Sequence, residues 1–367
     1  MNTSRLAGAL VFSVACGIPA ITANAQVVRG PNLLVGSRTD GTPGSRSTVC
    51  KQDDETPPSE DLLTRILRLP GRIVGPDSAD RRSRVKSRVR NRIADYRSRT
   101  WVAPGGSCWY TSYESGYRVA QREHKSLLVY FAAEGDTRDQ FEANTLQNET
   151  VTERLGQYVN VRVPLCQPHF QARARQNGHS TLVSDPAFSY LEGRPGIVVV
   201  DLVGDKPELT GFVTFVRPFG NRPCSAFELA TILALPRATL TQRTMIYAVR
   251  LHSEQPKSTD GELSPYMLDQ AARHSQQMAD IELQGHHNWD TRFYQISSAL
   301  GPTLTAKEVV AESWGHEPLL DAALECVHSW RGSPGHWSAV RATHHFYGYD
   351  MKRGANGKWY ATGQFGD

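Results

Sequence analysis

The chain predicts two successive folded units behind a signal segment and a basic arm: an α/β unit over residues 101–240, then an α+β unit over residues 245–367. Three observations carry this. Between Trp101 and Leu235, short apolar runs of strand length alternate with helix-like segments, the pattern of a sheet covered on both faces. Beyond Met245 the order changes to amphipathic helices followed by aromatic, β-prone strands closed by a Gly354-Ala355-Asn356-Gly357 turn. Nine of the twelve histidines lie in residues 245–367, which concentrates there the side chain best suited to metals and to proton transfer near neutral pH.

Residues 1–25 read as a signal peptide. Arg5 is followed by a largely apolar stretch, Leu6 to Ile21, and Ala23-Asn24-Ala25 fits a small-x-small cleavage site before Gln26. The apolar run is too short and interrupted for a spanning helix. Ser13 stands three residues before Cys16, where lipidation expects a large aliphatic residue, so a lipid anchor is disfavoured. A secreted or periplasmic protein without a transmembrane segment is therefore expected. Cleavage leaves Cys50, Cys108, Cys166, Cys224 and Cys326; export permits one or two disulfides, and the odd count leaves a thiol over. The pairing is not fixed by sequence.

Residues 26–100 combine a Gly/Ser/Thr/Pro-rich linker with the arginine-rich run Arg81 to Arg99. Val85, Val89 and Ile93 give that run a narrow apolar stripe at helical spacing. It reads first as a solvated connecting helix and second as an arm for an anionic partner, with nucleic acid disfavoured by export. Charge is uneven. Residues 26–100 hold sixteen Lys/Arg against nine Asp/Glu, a balance of +7, whereas residues 245–367 hold ten against fourteen, a balance of −4.

In the first unit the pattern predicts a helix over Ser115–Lys125, a strand over Ser126–Phe131, a helix capped by Thr137 and running through Thr145, and a short helix over Val151–Leu155. Alternation then predicts a strand over Tyr158–Val163 and a buried strand over Ile197–Asp201. A strand over Thr210–Phe215 and a helix over Ala226–Leu235 complete it. The helix ending Glu123-His124-Lys125, the strand Leu127–Phe131, the Phe141-Glu142 helix, the Tyr158–Val163 strand and Pro195 before a β-run together resemble the thioredoxin-like fold. The resemblance implies a cis proline at Pro195 and a dithiol just after the first strand. This chain has Ala133-Glu134-Gly135-Asp136-Thr137-Arg138 there, without cysteine. Thiol–disulfide exchange needs a thiolate at that place, so the unit is expected to be redox-inactive and to serve as a scaffold or binding module. A degenerate redox protein working through Cys108, Cys166 or Cys224 is the weakest rival.

In the second unit, Leu268, Ala271, Ala272, Ser275 and Met278-Ala279 recur at helical spacing, and His286-His287 follow in a loop begun by Gly285. Thr305–Ser313 forms an ordered segment containing Glu312, and Leu319–Trp330 a long helix stopped by Ser333-Pro334-Gly335 before His336. Strands His345–Asp350 and Trp359–Phe365 close the unit. The segments His274-Ser275 with Met278-Ala279, His286, Val310-Ala311-Glu312-Ser313, Trp330 to His336, Tyr347-Gly348-Tyr349 and Tyr360 to Phe365 resemble the CAP superfamily, the SCP-like group of cysteine-rich secretory, antigen 5 and pathogenesis-related proteins. The resemblance implies an α-β-α sandwich whose central cleft holds two histidines and two carboxylates. His286, Glu312 and His336 match three of the four; the second glutamate has no clear match, and Ser313 replaces the usual Asn. His287, His344 and His345 are candidates for the gap.

Two neutral imidazoles and a carboxylate can hold Zn²⁺ or another divalent ion and leave a position open for water. The same trio can act as acid and base without metal, or merely as a hydrogen-bonded network that fixes the cleft. His252, His274, His316 and His328 are expected on surfaces or helix faces, and Cys326 inside its helix. The expected function is an exported, non-enzymatic binding protein whose cleft takes a lipid, peptide or envelope ligand, with His286 and His336 as candidate metal ligands. The alternative is a metal-assisted hydrolase or protease using His286, Glu312 and His336.

Overall fold

The computed structural model describes residues 100–301 and 304–367. The expected signal peptide, linker and basic arm lie outside them. The chain is a mixed α/β protein built on two sheets.

The first sheet has the order β1-β2-β4-β3-β5-β6. Its strands are β1 (Thr100–Val102), β2 (Cys108–Tyr110), β3 (Leu127–Ala132), β4 (Val159–Pro164), β5 (Gly196–Val200) and β6 (Val213–Pro218). β2, β4 and β3 run parallel, while β5 and β6 are antiparallel to their neighbours. β3 and β5 are buried throughout, as continuous apolar runs covered on both faces must be. Helix α1 (Tyr113–Glu123) starts at Ser112, whose hydroxyl accepts from the Ser115 N–H, and ends at His124 in the left-handed conformation. Helix α2 (Asp136–Gln140) passes into a π-helical turn over Phe141–Thr145, and α3 (Glu149–Leu155) is capped by Asn148. A short α4 (Ala172–Gln176) and 3₁₀ turns at Leu182–Ser184 and Pro186–Leu191 fill the stretch before β5. Helix α5 (Ala226–Leu233) carries a Ser225/Glu228 capping box. No peptide bond in the described residues is cis, so Pro195 departs from the proline that the resemblance implies. The strand expected over Thr210–Phe215 lies at Val213–Pro218 instead, because Lys206 to Phe212 turn before the ladder begins.

The chain between the units is no linker. Thr239 opens helix α6 (Leu240–Leu251), which is buried from Leu240 to Val249. Arg243 donates to the Thr214 hydroxyl and the Ile232 carbonyl of the first unit. On the same turn, Thr241 and Gln242 donate to Asp350 of the second. One continuous apolar core spans both sheets across this helix.

The second sheet has the order β7-β9-β10-β8, from β7 (Glu262–Leu263), β8 (Ala306–Glu312), β9 (Phe346–Arg353) and β10 (Trp359–Gly366). Helix α7 (Pro265–Ile281) packs on one face, close enough that a side chain at Gly348 would strike the backbone of Met267 and Leu268. Helix α8 (Trp289–Leu300) follows α7. The other face carries α6 and α9 (Leu319–Gly332). Pro334 does not simply stop α9: its fixed φ suits a helix's first position, and it opens α10 (Pro334–Arg341). β8 is an edge strand, and the α7–α8 loop meets the first turn of α10 beside it. Cys166, Cys224 and Cys326 are free thiols, the last two buried, whereas Cys108 is disulfide-bonded.

Candidate metal or ligand cleft

The α7–α8 loop is held at both ends by residues in the left-handed conformation, Glu282 and Asn288. Between them His286 is turned towards β8. Its Nδ1 lies 2.9 Å from Glu308 Oε1, and its Nε2 lies 3.2 Å from Nε2 of His336, in the first turn of α10. A carboxylate only accepts, so the Nδ1–H donates to Glu308, which leaves Nε2 of His286 facing Nε2 of His336. The structure thus brings together two of the three residues singled out from sequence.

It does not bring Glu312 to them. Glu312 Oε1 accepts from Lys358 Nζ at 2.6 Å. It stands four residues beyond Glu308 on the same face of β8, about 13 Å away at strand rise. The carboxylate beside the imidazoles is Glu308, whose side chain is 1% exposed against 41% for His286. Arg292, in the first turn of α8, donates to both Glu308 oxygens, at 2.6 and 2.7 Å from Nη2, and also to the His287 carbonyl. Gln364, directly across the ladder, donates to Glu308 Oε2 as well. Burial alone would raise the Glu308 carboxyl; hydrogen bonding from His286, the nearby His274 and Arg292 outweigh it and hold the group below the ordinary glutamate range.

His274, expected on a helix face, is fully buried on α7 with Nδ1 3.3 Å from Glu308 Oε2. Burial pushes its pKa down to about 4, against the pull of Glu308, so it is neutral at pH 7. His336 is also lowered, by burial and then by the neighbouring His286. The histidines proposed for the gap are engaged elsewhere or exposed. His287 Nε2 faces the Leu283 carbonyl, His344 lies between Asp367 and the Ala339 carbonyl, and His345 is exposed. His252 is half-buried beside Trp337, while His316 and His328 are exposed.

A sequence signal for Glu308 existed: it is a charged residue at an inward position of a strand otherwise lined by Ala306 and Val309 to Ala311. Two imidazoles so placed fit a divalent ion at their Nε2 atoms, but not a closed shell. Among the described residues no group of three or more His, Cys, Asp or Glu is arranged to hold a metal. Glu308 lies behind His286 as its orienting partner rather than beside the open Nε2 atoms. No family model, curated protein or solved structure matches the chain. No helix of the described residues is long and apolar enough to cross a membrane.

Proposed function

We propose an exported, non-enzymatic binding protein, in which a CAP-like C-terminal unit offers the His286/His336 cleft to a lipid, peptide or envelope ligand and a thioredoxin-like unit serves as scaffold. The observation that carries the reading is the imidazole pair at 3.2 Å with His286 fixed from behind by Glu308. The strand order β2-β4-β3-β5-β6, parallel in its first three members and antiparallel in its last two, supports the thioredoxin-like reading of the first unit. No cysteine stands in the loop between β3 and α2, which supports its lacking redox activity. Helices on both faces of the second sheet support the CAP-like sandwich.

His286 and His336 would hold a Zn²⁺ or similar ion, with solvent or the ligand's own donors completing the shell. When bound, the ion would supply a Lewis-acid contact for a ligand oxygen or nitrogen. The residues of the chain provide orientation: Glu308 fixes the His286 tautomer, Arg292 fixes Glu308, and burial keeps His336 neutral. The hydrolase reading needs a carboxylate at the imidazoles to activate water, and Glu312, its candidate, is tied to Lys358. Calorimetric titration of Zn²⁺ into the full chain tests the proposal. Binding should be lost in His286→Ala and His336→Ala and kept in Glu312→Gln; equal binding by wild type and both histidine variants would defeat it.

A further inference from the structure

Cys108 opens β2, in the hairpin at one edge of the first sheet, and its sulfur is in a disulfide. Of the chain's six cysteines, Cys166, Cys224 and Cys326 are free thiols. The sulfur bonded to Cys108 therefore belongs to Cys16 or Cys50, both outside the described residues. Cys16 lies in the segment that reads as a signal peptide cut before Gln26, which leaves Cys50. The hairpin that carries Cys108 is slight. β1 and β2 have three residues each, Cys108 stands opposite Val102, and one register pair, Tyr110 with Val161, joins β2 to β4. This edge is opposite to β6, the strand that packs on α6. The arginine-rich run ends at Arg99, and the next residue, Thr100, opens β1.

We propose that Cys108 is bonded to Cys50, so that the run Arg81 to Arg99 belongs to a covalently closed loop rooted at the β1–β2 hairpin, not to a tail attached at one end. Fifty-seven residues separate the two cysteines, so chain length is no obstacle to closure. The two thiols lose two protons and two electrons to a disulfide donor of the exported compartment, which is reduced to its dithiol. Cross-linking so long a loop removes entropy from the unfolded chain. It also changes what a protease can do. The run carries nine Lys/Arg, each a cleavage point for a trypsin-like enzyme. A cut at any of them leaves the piece that holds Cys50 attached through Cys108, at the edge of the sheet remote from the shared helix. The same bond withdraws Cys108 from thiolate chemistry.

The test is peptide mapping of the exported protein, alkylated and digested with trypsin without reductant. Expected is the peptide Ser47–Lys51 joined to Thr100–Arg118, the pair falling apart on reduction. The proposal is overturned if Cys108 is alkylated before reduction, or if its peptide is joined to one holding Cys16 or Cys166 or to its own copy from a second chain. A second readout concerns the loop. After brief native trypsin treatment, the piece that holds Cys50 should run with the body of the protein on a non-reducing gel and separate from it with reductant. In Cys50→Ser it should separate without reductant, and the thermal midpoint should fall by several degrees. Release of that piece from nicked, unreduced wild type would overturn the closed loop even if the variant were to misfold. Neither readout involves zinc, so this proposal and the imidazole cleft can fail separately.

Discussion

Removing Glu308 should cost far more stability than removing Glu312, although both are glutamates on one face of one strand. Glu308→Ala deletes the carboxylate that neutralises Arg292, a residue 8% exposed, and leaves that guanidinium only the His287 carbonyl as acceptor. It also orphans the Gln364 amide and the His286 Nδ1–H. Stranding a buried charge this way costs about 3–5 kcal/mol. The Glu312–Lys358 pair is about a third exposed on each side, so its loss should cost below about 1 kcal/mol. Urea unfolding at pH 7 resolves the two, read as a shift in midpoint at constant slope. A second readout separates orientation from bulk stability. In folded Glu308→Gln, zinc affinity should fall about 10–100-fold, because the partner that orients His286 is altered. If Glu308→Ala and Glu312→Ala lie within about 1 kcal/mol of each other, the buried-hub account is wrong.

Acidification should weaken the fold between pH 6.5 and about 4, since the unfolded chain takes a proton on His274 that the folded chain refuses until about pH 4; the loss is on the order of 3 kcal/mol. A His274→Asn variant that keeps the wild-type slope in urea midpoints across that window would refute this. Of the three free thiols among the described residues, Cys166 should alkylate in the native protein while buried Cys224 and Cys326, their thiols pushed up by burial, react only after unfolding; peptide mass mapping reads it. Asp350→Ala should destabilise by about 3 kcal/mol and leave one transition, because Asp350 ties Thr241 and Gln242 of the shared helix to β9. Separate transitions for tryptophans of the two units would contradict the continuous core. Insulin reduction should show no turnover, and clear turnover would end the redox-inactive reading.

The apolar runs Leu127–Ala132 and Gly196–Val200 were legible because a strand buried on both faces leaves an uninterrupted signature, and α7 because its buried face repeats at helical spacing. Helix α6 was not. Its buried face includes Thr241, Gln242, Arg243 and Thr244, polar residues that read as a connection until their partners on two different sheets are seen. The pairing of His286 with His336 was legible from their flanking segments. Glu308 was missed because nearby Glu312 occupies the motif, and choosing between two carboxylates on one strand face requires knowing which end of the strand the α7–α8 loop reaches. His274 was misplaced because its spacing allows either face, and only the position of Glu308 makes an interior imidazole favourable.

Helix α6 also fixes a direction. To swing one sheet against the other, the molecule would have to pull Arg243 from Thr214 or Thr241 from Asp350, so closing like a jaw around a ligand is not among its easy motions. The imidazoles beside β8 are therefore carried on the same rigid body as the first sheet. Their orientation relative to the first sheet is thereby constant.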